Sequence, residues 1–276
     1  MKISAILLPL LVLLLPAVTH PAAPPPLPAD SAKRLEKVFV GTASAFVLHD
    51  RAHDRTVRFD EERSRRRFTP CSTFKIPNSL MGLETGVVRD PDAVVPWDRV
   101  KRPPEEHWPE GWKRDHSLRS AFKGSAIWFY QDLAVKIGPE RMRSFLRRFS
   151  YGNQDTSGGI DQFWLASSLK ISADEQVRFL RAFYDGQLGL SPRTNEIARD
   201  LFVHEKTPAY TLSAKTGGGP TGPGKALGWF VGYVETRGNV YFFAINTDGP
   251  SYTAIKDKRI DLTKAALRAV GVLPEG

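Results

Sequence analysis

The residues best suited to chemistry in this sequence are a serine and a lysine spaced three apart, Ser72 and Lys75. A serine hydroxyl is a weak nucleophile at neutral pH until a neighbouring base removes its proton. If a helix begins at Ser72, the amine of Lys75 lies one turn further on and on the same face as the serine oxygen. Free backbone N–H groups at the start of such a helix could also stabilise an oxyanion. The pair predicts nucleophilic catalysis, although a Ser-x-x-Lys match is weak when it stands alone.

The helix that carries this pair is predicted to extend from Ser72 to just before Gly86. Mainly apolar residues fill its second half, and Gly86 stands where a helix-terminating glycine belongs. Pro77 lacks the N–H that would bond to the carbonyl of Thr73, so we expect an irregular first turn.

The chain contains one cysteine, Cys71, so no intrachain disulfide can form. Cys71 could itself be a nucleophile, but no histidine is near it in sequence, and packing behind the site is the preferred interpretation. His49 and His53 have a spacing that could suggest a metal site. They have neither a helical context nor a third ligand cluster, so we interpret them as loop residues and predict no metal.

The N-terminus is predicted to direct export. Lys2 is the last charged residue before Asp30, and the mainly apolar run over residues 3–18 is broken by two prolines. This pattern is typical of a secretory signal peptide and too short for a comfortable transmembrane helix. We expect a signal peptide over residues 1–20, a disordered proline-rich leader over 21–30, and a periplasmic or secreted protein with no stable membrane anchor.

The 276 residues include 41% hydrophobic side chains and carry a formal net charge of +9. This length can bury a full core, and we expect one catalytic domain over residues 31–276. The densest basic cluster, Arg63 to Arg67, directly follows three acidic residues. A nucleic-acid surface would interleave such residues with stacking aromatics. We therefore interpret the cluster as solvated and predict no nucleic-acid partner.

The elements that must position the serine and lysine change in type along the chain. Strands are predicted over residues 38–49, 56–59, 210–215, 229–235 and 240–245, the last two as a hairpin. Helices are predicted over 120–136, 140–148, 172–184 and 261–270, with another beginning at 191. Irregular segments are expected over 91–117 and 151–164. This order favours an α+β fold, with an antiparallel sheet assembled from both ends of the chain and a helical lobe within about 80–190.

Four further motifs follow the serine–lysine pair in a fixed order. They are Ser125-Ala126-Ile127, Tyr151-Gly152-Asn153, Phe163-Trp164-Leu165 and Lys215-Thr216-Gly217. Each tripeptide is common by itself. Together, and with the family-like stretches 70–80 and 228–232, they make the sequence resemble the class D β-lactamases, the oxacillinases. The resemblance covers nearly the whole mature chain.

The resemblance implies the penicillin-recognising serine enzyme fold and a β-lactamase that confers antibiotic resistance. Ser72 would attack the β-lactam carbonyl, and Lys75, carboxylated to N6-carboxylysine by CO2 or bicarbonate, would act as general base without another cofactor. An amine buried among apolar residues is pushed toward its neutral form, and only a neutral amine captures CO2. The indole N–H of Trp164 would donate a hydrogen bond to the carbamate.

The resemblance also assigns roles in substrate binding. Ser125 would relay a proton to the leaving nitrogen, and the backbone N–H groups of Ser72 and Gly218 would form the oxyanion hole. The implied catalytic residues are Ser72, Lys75, Ser125, Trp164 and Lys215. The implied substrate-binding residues are Ser125, Ile127, Thr216, Gly217, Gly218 and Arg259, the last pairing with the substrate carboxylate.

Two positions depart from the family pattern. Ile127 stands where valine is usual, and its extra methylene could alter water access to the carbamate. Gly218 stands where a bulky residue is common, and a glycine there would open that wall of the pocket and loosen the end of the strand. Two assignments also have simpler alternatives: Trp164 as a core aromatic, and Arg259 as a solvated residue in a basic patch.

Other proteins share parts of this motif set. Penicillin-binding D,D-peptidases have the Ser-x-x-Lys and Lys-Thr-Gly motifs, and a β-lactam-sensing domain of the same fold deacylates slowly. The short chain and Trp164 disfavour the peptidase, and the lack of membrane helices outside the signal disfavours the sensor. A non-enzymatic binding protein would tolerate loss of Lys75 or Ser125, which are both present. A class A enzyme is disfavoured because Ser-Asp-Asn is absent. We expect a β-lactam as the partner and a monomer or homodimer.

Overall fold

The computed structural model describes residues 25–106 and 108–275. The expected signal peptide lies outside these residues. The described part of the proline-rich leader is ordered, so the expectation of disorder is wrong there. Leu27 is buried, and its carbonyl accepts a hydrogen bond of 2.5 Å from the Arg55 guanidinium. No helix in the described ranges combines the length and apolar character needed to span a membrane.

One antiparallel sheet of six strands, in the order β2-β1-β6-β5-β4-β3, organises the described part of the chain. The strands are β1 (Ser44–Asp50), β2 (Arg55–Phe59), β3 (Val203–Lys206), β4 (Tyr210–Gly222), β5 (Lys225–Thr236) and β6 (Asn239–Gly249). Strand β1 pairs with β6, with Ser44 opposite Thr247 and Asp50 opposite Tyr241. The predicted sheet built from both ends of the chain is therefore confirmed.

Helices cover both faces of this sheet. They are α1 (Ser31–Phe39), α2 (Glu61–Arg65), α3 (Lys75–Glu84), α4 (Leu118–Gly124), α5 (Ile127–Ile137), α6 (Pro139–Arg148), α7 (Ala173–Tyr184), α8 (Pro192–Leu201), α9 (Tyr252–Ile255) and α10 (Lys258–Ala269). Local signals place several of the boundaries. Ser172 and Glu175 form a capping box at α7, and Pro139 occupies the first turn of α6.

The structure corrects several predicted boundaries. The predicted strand over 38–49 begins only at Ser44, because residues 31–39 form α1, whose buried Leu35 and Phe39 lie four residues apart on one face. Strand β3 was not predicted; it is short and mostly exposed, so it lacks an alternating pattern. The predicted helix over 120–136 is two helices separated at Ser125 and Ala126.

Side chains alternate between two cores on opposite faces of the sheet. On β6, Phe242 and Ala244 belong to the larger core, which packs against helices from the middle of the chain. Phe243 and Ile245 belong to a smaller core that includes residues of α1 and α10. Because both faces are covered, β6 is buried along most of its length.

The segment over residues 91–117 is irregular, as expected, apart from a short 3-10 turn at Glu110–Trp112. Arg102 holds it against the helical part of the molecule. Its guanidinium donates to Asp132 on α5 at 2.9 Å and to Asp161, in the loop between α6 and α7, at 2.8 Å. At its far end, the Trp112 indole donates to the Gly124 carbonyl at 2.8 Å. The segment therefore braces the turn that contains Ser125.

Candidate active site

Ser72 and Lys75 lie where a 3-10 turn, Cys71–Phe74, runs directly into α3. The irregular first turn predicted from Pro77 is confirmed. The amine of Lys75 lies 2.7 Å from the hydroxyl oxygen of Ser72. Lys75 is completely buried, whereas Ser72 is partly exposed. A substrate can therefore reach the hydroxyl while the amine stays shielded from water.

Burial lowers the pKa of Lys75 to about 7. The amine lies 5.4 Å from the centre of the Tyr130 ring on α5, and the neighbouring Phe74 and Ile76 are also buried. A large fraction of the amine is therefore neutral near pH 7. In that form it can accept the proton of Ser72 across the 2.7 Å contact.

Cys71, directly before the nucleophile, shapes the backbone of the turn. Its φ of +49° is rarely adopted by residues other than glycine. Its N–H donates to the Trp164 carbonyl at 3.1 Å, which holds the turn in this conformation. Burial raises the pKa of its thiol to about 11. The thiol stays protonated at neutral pH, which favours the packing role over the nucleophilic one.

Trp164 lies behind the turn, completely buried and stacked on Phe74 at 5.2 Å between ring centres. Its carbonyl accepts hydrogen bonds from Cys71 and from the Thr69 hydroxyl. The Thr69 oxygen also accepts from the N–H of Ala166 at 3.1 Å. Within the described residues, the indole nitrogen of Trp164 is buried without a hydrogen-bond partner. Such a donor is costly unless another group accepts from it.

The Tyr151–Asn153 motif fixes the loop beneath Trp164. Tyr151 is buried against Phe74 at 5.7 Å between ring centres. Asn153 donates to the Ser168 carbonyl at 2.9 Å and accepts from the N–H of Lys170 at 2.8 Å. Asn153 itself is exposed. These contacts agree with the alternative in which the motif shapes the loop.

Ser125 occupies the turn between α4 and α5 with a φ of +59°. The prediction of a single helix over residues 120–136 is wrong, because Ser125 has a left-handed conformation that ends α4 and redirects the chain. The Ser125 N–H donates to the Phe122 carbonyl at 3.3 Å. Ile127 begins α5, one turn before Tyr130, and packs against the larger core. Ser125 and Ile127 thus lie on either side of a break between α4 and α5, which local helix propensity does not reveal.

Lys215 and Thr216 bring β4 to the same site. Lys215 is buried, its amine 3.1 Å from the Thr216 carbonyl oxygen and 5.7 Å from the centre of the Phe122 ring. Burial, followed by the positive charges of Lys75 and Arg259, lowers the pKa of Lys215 well below its ordinary value. Strand β4 therefore places a second buried amine beside that of Lys75.

Gly217 lets β4 lie directly against the nucleophile turn. A Cβ atom at this position would come within 2.8 Å of the Pro70 carbonyl oxygen and 2.9 Å of the Thr73 nitrogen. Only a residue without a side chain fits such a contact. The close approach brings β4 directly against the turn that contains Ser72.

Arg259, on α10, is buried and reaches the same strand. Its guanidinium donates to the Gly217 carbonyl at 2.5 Å. The alternative in which Arg259 is a solvated surface residue is therefore wrong. The basic residues beside it, Lys256 and Lys258, are exposed. The site thus combines a serine hydroxyl, an amine whose pKa is lowered to about 7 and a buried guanidinium. This set suits acyl transfer from a substrate that carries an anionic group.

Comparisons with known proteins agree with this geometry. A family model described as the penicillin binding protein transpeptidase domain matches residues 43–268. The probable β-lactamase YbxI of Bacillus subtilis is 44% identical over 234 residues, which cover 85% of each chain. β-Lactamase OXA-10 of Pseudomonas aeruginosa is 42% identical over 74% of this chain and 75% of the relative.

Solved structures define the family more narrowly. A class D β-lactamase from Sebaldella termitidis superimposes with a TM-score of 0.80 and 39% identity, over 87% of this chain and 96% of that one. FUS-1 (OXA-85), a class D β-lactamase from Fusobacterium nucleatum, superimposes with a TM-score of 0.81 and 33% identity, over 87% of this chain and 98% of that one. The chain belongs to the class D β-lactamases. The family resemblance, the penicillin-recognising fold and the assignment as a hydrolase acting on β-lactams are confirmed.

Some residues of this β-lactamase site had no signal in the sequence. Thr69 links Trp164 to β5, because its carbonyl accepts from the Trp229 indole at 2.9 Å. Trp112 braces the Ser125 turn from a segment without regular structure. Tyr130 could have been found, since it stands one helical turn after Ile127 and faces Lys75.

The basic cluster at residues 63–67 has carboxylate partners. Arg63 pairs with Asp248 at 2.8 Å, and Arg67 pairs with Glu175. The side chains of Arg65 and Arg67 are about half exposed or more. These contacts agree with a solvated surface. Across residues 25–106 and 108–275, no group of three or more His, Cys, Asp or Glu side chains is placed to hold a metal ion.

Proposed function

We propose that this class D β-lactamase hydrolyses penicillins and related antibiotics through an ester on Ser72, and that it thereby confers resistance. The observation that carries the proposal is the 2.7 Å contact between the Ser72 hydroxyl and the amine of Lys75. Burial lowers the pKa of that amine to about 7, so a large fraction of it is neutral near pH 7. A nucleophile beside a matched base is the arrangement that serine acyl transfer requires.

In acylation, Ser72 gives up its proton toward the Lys75 position as its oxygen attacks the carbonyl carbon. The carbon–oxygen bond forms, the strained carbon–nitrogen bond breaks, and Ser125 passes a proton to the leaving nitrogen. The N–H groups of Ser72 and Gly218 stabilise the oxyanion. Water then attacks the ester, releases the opened product and restores the Ser72 hydroxyl.

The residues around Lys75 fit a carbamate on its amine. Lys75 is buried, and its pKa of about 7 leaves a large fraction of the amine neutral at pH 7, which is the state that captures CO2. The indole N–H of Trp164, which has no hydrogen-bond partner among the described residues, is a donor for an anionic oxygen. A carbamate would supply an oxygen base for both acylation and deacylation. Its presence would also supply an acceptor for a buried donor that otherwise has none.

Residues of β4 and α10 bind the substrate. Arg259 offers a guanidinium to the substrate carboxylate, and Lys215 and Thr216 form the wall opposite Lys75. Because Arg259 is buried, its interaction with an anion is less screened than it would be at the surface. The positive net charge of the chain would favour approach of an anionic β-lactam.

We propose a periplasmic or secreted location, supported by the apolar run over residues 3–18 that follows Lys2. Cell fractionation of the full-length protein tests it. Mature protein is expected outside the cytoplasm, and uncleaved protein confined to the cytoplasm would contradict it.

The decisive experiment measures hydrolysis of a chromogenic β-lactam by the mature protein, with and without added bicarbonate, beside Lys75→Ala. Multiple turnovers that increase with bicarbonate and vanish in the variant are expected. One stoichiometric burst followed by no further reaction would instead indicate a stable acyl-enzyme. That outcome would contradict the proposed hydrolysis and would favour a slowly deacylating sensor domain or a peptidase.

A further inference from the structure

Tyr252, the first residue of α9, lies beside Arg259 at the surface of the site. The Arg259 guanidinium carbon is 5.3 Å from the centre of the Tyr252 ring, a cation–π distance. The guanidinium also donates to the Tyr252 hydroxyl at 3.3 Å. Arg259 is buried, whereas Tyr252 is 46% exposed. The ring therefore covers the guanidinium and still presents surface to solvent.

The same ring lies against Gly218. A Cβ atom at Gly218 would be 3.3 Å from an edge carbon of the Tyr252 ring and 2.7 Å from an Arg259 nitrogen. It would also be 2.7 Å from the Leu227 carbonyl oxygen. The expectation that glycine at this position leaves the wall open is therefore wrong. An aromatic ring supplied by α9 occupies the space beside β4, and the absence of a side chain at Gly218 makes room for it.

A buried anchor holds Tyr252 in this position. Ile255, three residues later on α9, is 1% exposed. It packs over Gly228, where a Cβ atom would be 3.0 Å from its terminal methyl carbon, and also against Gly249. The Ser251 hydroxyl caps the start of α9 by accepting from the Ala254 N–H at 3.2 Å. The position of the ring is thus set by packing on two strands.

We propose that Tyr252 is a specificity-determining residue whose ring packs against the carboxylate-bearing ring of the substrate. The inference rests on the proposed function, in which Arg259 binds the carboxylate of a β-lactam. In penicillins, that carboxylate stands next to a carbon with two methyl groups. An aromatic ring stacked on Arg259 lies at the right place to cover them. The site therefore favours β-lactams with compact apolar substituents beside the carboxylate over those with large charged substituents there.

The test compares wild type, Tyr252→Ala, Tyr252→Phe and the control Tyr210→Ala. The control removes a partly buried tyrosine at the opposite end of β4 from Gly218, where its hydroxyl bonds to Glu205. The substrates are a penicillin and a cephalosporin with a cationic substituent beside its carboxylate. Steady-state kcat and KM are measured, together with the second-order rate of acylation by mass spectrometry.

Tyr252→Ala is expected to raise KM for the penicillin and to lower the second-order rate constant of its acylation by about tenfold, the value of two buried methyl groups. Its kcat should stay within about twofold, because the ring does not touch the reacting atoms. The preference for the penicillin over the cephalosporin should fall. Tyr252→Phe and Tyr210→Ala should behave as wild type.

An unchanged preference in Tyr252→Ala, with normal wild-type turnover, overturns this inference alone. A Tyr252→Phe variant as impaired as Tyr252→Ala also overturns it, because the hydroxyl would then act by holding Arg259. A wild-type protein that acylates but does not turn over refutes the proposed hydrolysis, while the acylation rates still decide the role of Tyr252. A wild-type protein that forms no acyl-enzyme refutes both.

Discussion

Replacing Trp164 with phenylalanine removes the indole N–H and keeps an aromatic ring against Phe74. That N–H is buried without a partner in the described structure. If a carbamate on Lys75 accepts from it, the lost hydrogen bond to a charged group is worth roughly 1.5–3 kcal/mol. Since each 1.4 kcal/mol is about tenfold in an equilibrium constant, carboxylation should weaken roughly 10- to 100-fold.

The assay is hydrolysis of a chromogenic β-lactam as a function of bicarbonate concentration. For Trp164→Phe, the bicarbonate concentration that gives half-maximal rate should rise by that factor, with the maximal rate largely restored at saturation. Carbon-13 NMR with labelled bicarbonate should show the carbamate signal of Lys75 at low bicarbonate in wild type only. Trp97→Phe is the matched control, because its indole donates to the Arg102 carbonyl, far along the chain from Lys75. That variant should need no additional bicarbonate.

Protein stability gives an independent test of the hydrogen bond between Trp164 and the carbamate. Without bicarbonate, the unsatisfied indole N–H destabilises folded wild type by about 1–3 kcal/mol. Because Trp164→Phe removes this donor, the free energy of unfolding of the variant should not fall by that amount. With bicarbonate, wild type should gain stability by mass action and the variant should gain less. Equal bicarbonate dependence of activity in the two proteins would refute the assignment of the indole as a carbamate donor.

Three other predictions concern Gly217, Lys75 and Arg102. Gly217→Ala should lower kcat/KM by roughly 5- to 150-fold. Its Cβ would lie 2.8 Å from a backbone oxygen of the nucleophile turn, and such overpacking costs roughly 1–3 kcal/mol. Without CO2, the free energy of unfolding of wild type should rise with pH between about 7 and 10.5, by up to about 1.4 kcal/mol per pH unit. The rise occurs because the unfolded chain binds a proton on Lys75 that the folded chain has lost. Lys75→Met should abolish it. Arg102→Ala should reduce the free energy of unfolding by about 1.5–3 kcal/mol, because its two partners are ion-paired in a partly buried setting.

Matched variants and opposite outcomes test each of these. Gly219→Ala should be nearly silent, because nothing lies within 4 Å of a Cβ there, and equal losses in both glycine variants would contradict the close approach. Chemical denaturation from pH 7 to 10 in CO2-free buffer checks Lys75→Met, and an unaltered pH dependence would show that its pKa is not lowered. Arg119→Ala removes a more exposed pair of ion pairs and should cost less than about 1 kcal/mol. A cost equal to that of Arg102→Ala would mean that burial does not set the difference.

The sequence by itself determined the features that depend on near neighbours. Ser72 and Lys75 are adjacent because three residues make one helical turn, and Pro77 made that turn irregular for the reason visible in the sequence. The capping box at Ser172 placed the start of α7. The order of strands and helices was enough for the α+β sheet. The serine–lysine spacing, Pro77 and the capping box each act over a few residues, so no tertiary contact was needed to interpret them.

Tertiary structure decided the properties that depend on contacts between residues far apart in sequence. The pKa of Lys75 is lowered because distant elements exclude water from its amine, Tyr130 among them. The left-handed turn at Ser125 is braced by Trp112 from an irregular segment, which helix propensity cannot reveal. The wall at Gly218 is closed by Tyr252, 34 residues later in the chain. Burial and packing are properties of the assembled fold, and only the fold shows which chemistry a local motif can perform.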